Sequence, residues 1–399
     1  MNGPGQLEGR RHGWVPNLLL LGASLVVILV LAEAALRLAG RTYTEFHQPD
    51  PTLGYSFRPS AEGWYDGESR VYVRINRHGW RDRERTLARP PDGYRVAVLG
   101  DSFSAALQVP LEDAFPSVLE RELAGCEALA GRPVEVLNFG VDGYSTAQQL
   151  VVLRERAWPW DPDSVVLLFT PDNDLRDNSP SLAGGTVRPF FKLVDGTLVL
   201  DDSFRYTTYF QRRTRPLGRA YYYVRNHLAV LRLVMRSRHL LSRPAPAARS
   251  VLTDRPDAPE LYDIVFQPPP DATWEEAWRV TEALVKAVHS EVAGRGRRFL
   301  FVVGTPAPQV HPDAALRREV LAGVGDPDYL RRRLAALAAE NGFDAIDLTD
   351  PQRAWAETHW RCIHGFEGRR PCNGHWNDLG HRLAGELMAA ELCRQIAEP

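Results

Sequence analysis

The 399-residue chain contains no internal repeat and no low-complexity tract, which excludes repeat architectures. It lacks an excess of charge of either sign. Lys and Arg number 48 against 50 Asp and Glu, a net charge of -2, so a general nucleic-acid binder is not indicated. Cysteine is scarce, at four residues, and long apolar runs are confined to one place, the amino terminus. Over the whole chain, 44% hydrophobic and 25% charged residues are what a packed globular core needs.

The single apolar run is "NLLLLGASLVVILVLAEAALRLAG", starting at Asn17. Its charge-free stretch, Leu18 to Ala32, is close to the shortest segment that crosses a bilayer. Arg10 and Arg11 precede it and Arg37 and Arg41 follow. Residues 1–40 read as a cytoplasmic tail and transmembrane anchor, with the body of the chain outside the cytoplasm. A cleaved signal peptide, with small residues at "AEAA", is the rival, and a buried core helix is the third reading. Outside the cytoplasm an even number of cysteines favours disulfides. Cys362 and Cys372 bracket the polar loop "CIHGFEGRRPC" and form the first expected pair, leaving Cys126 and Cys393.

Residues 41–93, rich in Pro, Gly, Tyr and Trp, read as a small β or irregular layer, with "RVYVRIN" as a strand. From residue 94 short apolar runs alternate with amphipathic stretches. The expected strands are 94–100, 134–140, 164–170, 297–304 and 343–349. Between them lie helices at 111–125 and 146–158 and one beginning near Thr273, where Thr273 and Glu276 suit a capping box. "NDLGHRLAGELMAAEL" closes the chain as a helix. This alternation predicts an α/β fold with a parallel sheet covered on both faces. It is interrupted over 179–272 by an insertion whose segment 204–243 holds ten arginines and no acid. That segment reads as a basic helix packing by an apolar stripe, or as a surface for anionic lipid or an acidic glycan.

The chemistry concentrates at strand ends, where open α/β sheets bind ligands. Serine hydrolysis needs a nucleophile, a base, donors for the developing oxyanion and a group orienting the base. Ser102 follows the first strand in "GDSFS". Gly140 ends "NFG" after the second, where a missing side chain lets a backbone N–H approach a ligand. Asn173 lies in "PDND" after the third, and His375 lies in "NGHWNDLGH" just before the last helix. Each alone has an ordinary structural explanation: a helix cap, a turn, another cap, a packed ring. Together, in this order, they resemble the four blocks of the SGNH (GDSL-like) hydrolases, including membrane-anchored members with an extracytoplasmic catalytic domain.

The resemblance covers 94–178 and 273–399. It implies a flavodoxin-like three-layer α/β/α sandwich on a five-stranded parallel sheet. It also implies Ser102 as nucleophile and His375 as general base, with an oxyanion hole of the Ser102 and Gly140 N–H groups and the Asn173 side chain. No metal and no cofactor are implied. One departure is mild: Phe103 stands where the name motif has Leu. A second is Pro171, in place of a usual glycine before Asn173, which would reshape the oxyanion loop. The third concerns the acid. The family places Asp two or three residues before the histidine, and here those positions are Asn373 and Cys372. Asn373 or a backbone carbonyl would then orient His375, or a carboxylate such as Glu367, Asp347 or Asp350 would substitute. Otherwise the D-x-x-H pair Asp378 and His381 would take over, although both would lie inside the last helix. Cys362, His364, Cys372 and His375 also have ligand types that zinc accepts, but in an exported chain the two cysteines would oxidise together.

The expected function is a serine esterase acting on ester groups, O-acetyl groups foremost, outside the cytoplasm. Its substrate would be an ester-bearing molecule such as a cell-envelope polysaccharide, with water or a sugar hydroxyl as acyl acceptor. A lipase or thioesterase for membrane-derived esters is a lesser reading. The alternative from another class, motivated by the missing acid, is a non-catalytic carbohydrate-binding or assembly protein on a degenerate scaffold of the same fold.

Overall fold

The structure, a computed structural model, describes residues 14–40, 44–171, 173–185, 187–242 and 266–398. Parts of the expected cytoplasmic tail (1–13) and of the insertion (243–265) lie outside the described residues. The chain begins with α1 (Trp14–Leu38), then two hairpins, β1 (His47–Asp50) with β2 (Gly54–Phe57) and β3 (Glu62–Asp66) with β4 (Arg70–Arg74). β5 (Tyr94–Leu99), α2 (Ser102–Ala105), α3 (Phe115–Leu123), β6 (Val134–Asn138), α4 (Thr146–Val152), β7 (Ser164–Phe169) and α5 (Asp174–Asp177) follow. The insertion contributes a hairpin, β8 (Phe190–Val194) and β9 (Thr197–Asp201), then α6 (Thr208–Thr214), α7 (Pro216–His227) and α8 (Ala229–Ser242). The alternation resumes with α9 (Ala272–Ala293), β10 (Arg298–Val303), α10 (Ala307–Val310), α11 (Ala314–Leu321), α12 (Tyr329–Asn341), β11 (Asp344–Asp347) and α13 (Thr349–His359). A short hairpin, β12 (His364–Phe366) with β13 (Arg370–Trp376), leads into α14 (Asp378–Ala397).

All five expected strands form one sheet in the order β11-β10-β7-β5-β6, and every pairing in it is parallel. β5 and β7 are buried at every position, which explains their unbroken apolar sequences. Alternate residues serve opposite faces. Val96 and Val98 pack with Phe115 and Leu119 of α3 and Leu392 of α14, whereas Ala97 and Leu99 pack with Leu150, Leu284 and Leu334 from α4, α9 and α12. The result is the three-layer α/β/α sandwich.

Two expectations gain detail and two require correction. The 41–93 segment, expected as a small β or irregular layer, forms the β1–β2 and β3–β4 hairpins, and its Leu53, Phe57, Val73, Ile75 and Trp80 are buried in the same core as the sheet. The insertion holds the β8–β9 hairpin, anchored by buried Phe190 and Phe191, as well as helices. The arginine-rich segment is not one helix but α6, α7 and α8, the last two separated at Leu228. Lastly, α9 is capped not by a Thr273–Glu276 box but by Asp271, whose carboxylate accepts the N–H groups of Thr273 and Trp274 at 2.8 and 3.0 Å.

The chain divides into two units, residues 1–43 with 220–245 and residues 44–219 with 246–399. In the first, α1 has no buried residue and is the one described helix long and apolar enough to cross a membrane. Its 25 residues span about 37 Å at 1.5 Å per residue, against about 30 Å of hydrocarbon. Near its carboxyl end Glu33 accepts the Val230 N–H at 3.0 Å and Arg37 at 2.7 Å, while Arg37 also reaches the His227 carbonyl at 2.6 Å.

Both expected cysteine pairs are present as disulfides, Cys362–Cys372 and Cys126–Cys393. The second ties the turn after α3 to α14 on one face of the sheet. The two close loops of very different length, with separations of 10 and 267 residues. Chain-entropy scaling predicts that opening Cys126–Cys393 costs roughly 3 kcal/mol more than opening Cys362–Cys372. Urea unfolding of the Cys126→Ser/Cys393→Ser and Cys362→Ser/Cys372→Ser variants checks this order.

Candidate active site

Ser102 is delivered by a sharp exit from the sheet. β5 ends at Leu99, Gly100 and Asp101 turn the chain, and Ser102 is the first residue of the single-turn helix α2. Asp101 caps that turn, accepting the Phe103 N–H at 3.0 Å. Its other oxygen accepts the Asn173 side-chain amide at 2.8 Å, which fixes Asn173 at the end of β7. Asp101 and Asp174 are both fully buried and act on one another. Burial, and for Asp174 then the Asp101 charge, pushes their carboxyls above the usual range.

His375 Nε2 lies 2.8 Å from Ser102 Oγ. The histidine is not in a loop, as expected, but on β13 of the last hairpin. Phe103, the residue that departs from the name motif, lies beside the imidazole with its ring centroid 5.0 Å away. The same ring meets Trp376 edge-on at 4.8 Å, so the imidazole rests on a packed aromatic floor.

The orienting acid is Glu68. Its Oε1 lies 2.9 Å from His375 Nδ1 and its Oε2 accepts the His375 backbone N–H at 3.1 Å. Glu68 stands in the turn between β3 and β4, 307 residues before the histidine. The carboxylate therefore grips both the ring and the backbone of one residue. Gly374 makes this approach feasible: a Cβ there would lie 2.7 Å from Glu68 Oε2, and its φ of +87° suits glycine. The two hairpin tips are joined again by Arg369, which pairs with Asp66 at 2.6 Å and donates to the Gly67 carbonyl. From the other side, the Ser69 hydroxyl donates to the Gln108 carbonyl in the loop after α2.

None of the acids or amides expected from the sequence is on the ring. Asn373 turns back to accept the Gly374 N–H at 2.8 Å. Asp347 and Asp350 both bind Arg331. Glu367 is exposed in the β12–β13 turn, and Asp378 begins α14. His381 is buried in the core against Phe115, accepting that residue's N–H at 3.4 Å, and burial holds its pKa well below 6.5. The zinc constellation is also dismantled. Cys362 and Cys372 are joined, and His364 is bound to the Gly374 carbonyl at 2.7 Å and to Thr305 at 3.1 Å. His311 lies near the two sulfur atoms, which as a disulfide offer no thiolate.

Gly140 needs a different account from the expected one. Its N–H donates to the Asn138 side chain at 3.0 Å and is thereby spent. The residue is glycine for packing: a Cβ would fall 2.3 Å from Ser104 Cβ, forcing α2 outward. Three residues on, the Gly143 N–H has no hydrogen-bond partner among the described residues. It adjoins Asp142, one of the charges acting on His375.

Three carboxylates surround the imidazole. Burial pulls the His375 pKa down, but the Glu68 bond and charge, with Asp101 and Asp142, outweigh it and hold the pKa above 6.5. Asp142 is in turn paired with His47 of β1 at 2.8 Å. Burial opposes a charge on His47, yet Asp142 and Glu45 raise it to about 10.

No protein-family model matches the chain. An arylesterase of Vibrio mimicus is 29% identical over 100 residues, which cover 25% of this chain and 48% of that one. The chain thus spans about half the length of this curated relative. Among solved structures, a lipolytic protein of the G-D-S-L family from Desulfitobacterium hafniense is 10% identical, covering 74% of this chain and 98% of that one with a TM-score of 0.32. An inhibitor-bound aryl esterase of M. smegmatis is 14% identical over 76% and 99% of the two chains, TM-score 0.34. An acetylxylan esterase from Geobacillus stearothermophilus is 11% identical over 76% and 94%, TM-score 0.36. The chain resembles the SGNH (GDSL-like) hydrolases in its motif residues and its five-stranded parallel sheet.

Replacing Glu68 by Gln leaves the shape of the site but removes the charge that stabilises an imidazolium. The kcat of ester hydrolysis is expected to fall about 10²- to 10⁴-fold. Because the partner that raises the His375 pKa is lost, the acidic limb of the pH–rate profile should move to lower pH. Profiles of kcat and kcat/KM for the Glu68→Gln variant and the parent check both effects.

Proposed function

We propose that the protein is a serine ester hydrolase in which Ser102, His375 and Glu68 act as nucleophile, general base and positioning acid. One observation carries this reading: a continuous hydrogen-bonded line runs from Glu68 through both ring nitrogens of His375 to Ser102 Oγ. With Nδ1–H held by the carboxylate, Nε2 is the lone-pair nitrogen and faces the hydroxyl. As Ser102 Oγ attacks an ester carbonyl, Nε2 takes the hydroxyl proton. The imidazolium then gives that proton to the departing alkoxide. Water, activated by the same nitrogen, frees the acyl group from Ser102, and a sugar hydroxyl entering instead of water makes the reaction a transfer.

The oxyanion of each tetrahedral intermediate needs preorganised donors. The Ser102 N–H, at the start of α2, and the Asn173 amide, held by Asp101, keep the roles expected of them. Gly143 replaces Gly140 as the third donor in this proposal, since its N–H is the unspent one.

The apolar α1 and the two disulfides favour a single-pass protein whose catalytic unit faces an oxidising, extracytoplasmic space. O-acetyl groups on envelope polysaccharide are then the substrate class of choice, in keeping with the acetylxylan esterase among the similar folds. The non-catalytic alternative was motivated by a missing acid, and Glu68 supplies that acid.

A fluorophosphonate tests the assignment on the full chain in non-ionic detergent. Intact mass is expected to show one adduct, mapped to the Ser102 peptide and absent in Ser102→Ala. His375→Ala should label at least about 10³-fold more slowly. A folded protein that takes no label would return the reading to a binding protein.

A further inference from the structure

The β3–β4 hairpin does more than present Glu68. Its outward face forms one wall of a cleft of about 510 Å³, whose opposite wall is the loop Pro110–Glu112 that follows the serine-bearing α2. The two walls are tied together near the tip by Ser69 bonded to the Gln108 carbonyl. Two aromatic rings line the cleft, Trp64 and its cross-strand partner Tyr72, edge to face at 5.5 Å. They are 39% and 43% exposed, whereas their neighbour Val73 is fully buried in the core; half-buried Val71 also lines the cleft.

Basic groups complete the lining. The Arg70 guanidinium sits over the Trp64 ring at 4.8 Å and makes no hydrogen bond or ion pair among the described residues. Arg74 lies over Tyr72 at 5.5 Å and is balanced by Glu62 at 3.3 Å. Arg81 is spent on the carbonyls of Ala105, Ala106 and Val109. Glu112 is the one acid in the lining. Arg70 is therefore an oriented, unpaired cation on an aromatic platform, held in place by stacking at little entropic cost. Aromatic faces take the C–H faces of pyranose rings, and a guanidinium fork takes a carboxylate.

We infer that this cleft is a subsite for a carboxylate-bearing glycan chain, one sugar stacking on Trp64 and Tyr72 and its carboxylate pairing with Arg70. The subsite deepens the proposed function and rests on it for its role: one wall is the hairpin that carries Glu68 and the other follows the serine-bearing α2, so the ester would belong to an acidic polysaccharide. Binding itself requires no turnover.

Calorimetric titration of the full-length Ser102→Ala protein in non-ionic detergent tests the subsite separately from hydrolysis. Hexagalacturonate is the acidic probe and xylohexaose the neutral one. The acidic probe is expected to bind roughly tenfold or more tightly than the neutral one, with an affinity that falls as salt rises. Arg70→Gln should erase that preference, and Trp64→Ala should weaken both sugars. Arg70→Glu, a surface change that should leave the melting temperature in place, should abolish binding of the acidic probe. Equal binding of the two probes, no binding of either, or an Arg70→Glu variant that binds hexagalacturonate as the parent does would overturn the inference. Failure of fluorophosphonate labelling with intact binding would instead sink the hydrolase reading and leave the subsite standing.

Discussion

The contact between Glu68 and His375 is the constraint around which the rest of the site is arranged. A serine hydroxyl is a weak nucleophile until a neutral imidazole nitrogen can take its proton, and the imidazolium that forms needs a fixed counter-charge. That charge comes from a hairpin at the beginning of the chain, while the histidine comes from a hairpin near its end. Neither hairpin belongs to the parallel sheet. Each must therefore be held by its own packing, and the buried Phe57, Val73 and Ile75 fasten the first of them into the main core. Folding of the amino-terminal segment is in this sense part of building the active site.

Several local features follow from that requirement. Cys372 and Gly374 both adopt left-handed backbone, at φ +56° and +87°, which turns β13 so that the ring and N–H of His375 face Glu68 together. A side chain at position 374 would collide with the carboxylate, so the residue next to the base is glycine for the sake of the acid. The Cys362–Cys372 disulfide and the Arg369 bridge close the same hairpin from two sides. Beneath the ring, Phe103 and Trp376 keep water from one face, and Asp101 connects the serine turn to Asn173. The three carboxylates near His375 have distinct partners, and only Glu68 touches the ring. Asp101 is occupied by Asn173 and the α2 cap, and Asp142 by His47.

The sheet was legible because its strands are buried on both faces and so declare themselves as unbroken apolar runs between amphipathic helices. Ser102, Asn173 and His375 stand out as candidates because they sit at fixed places relative to those strands. The acid does not, because nothing in local spacing links residue 68 to residue 375. The clues were two separate facts, an acid missing before His375 and a carboxylate beside the Asp66-Gly67 turn of a hairpin. Gly140 is a related case. A glycine after a strand offers a backbone N–H, but whether a side chain such as Asn138 has already taken it depends on packing. The insertion's β8–β9 hairpin is hard to read because two of the five residues of β8 and three of the five of β9 are exposed, without strict alternation.

The most direct test of the account is an NMR titration of the His375 imidazole in the parent and in Glu68→Gln. The structure predicts a parent pKa above 6.5, with Nδ1 as the protonated nitrogen of the neutral ring. In the variant the pKa should fall, since burial then acts on the ring with its nearest counter-charge removed. An unchanged pKa and tautomer would contradict the central claim and place the orienting group elsewhere.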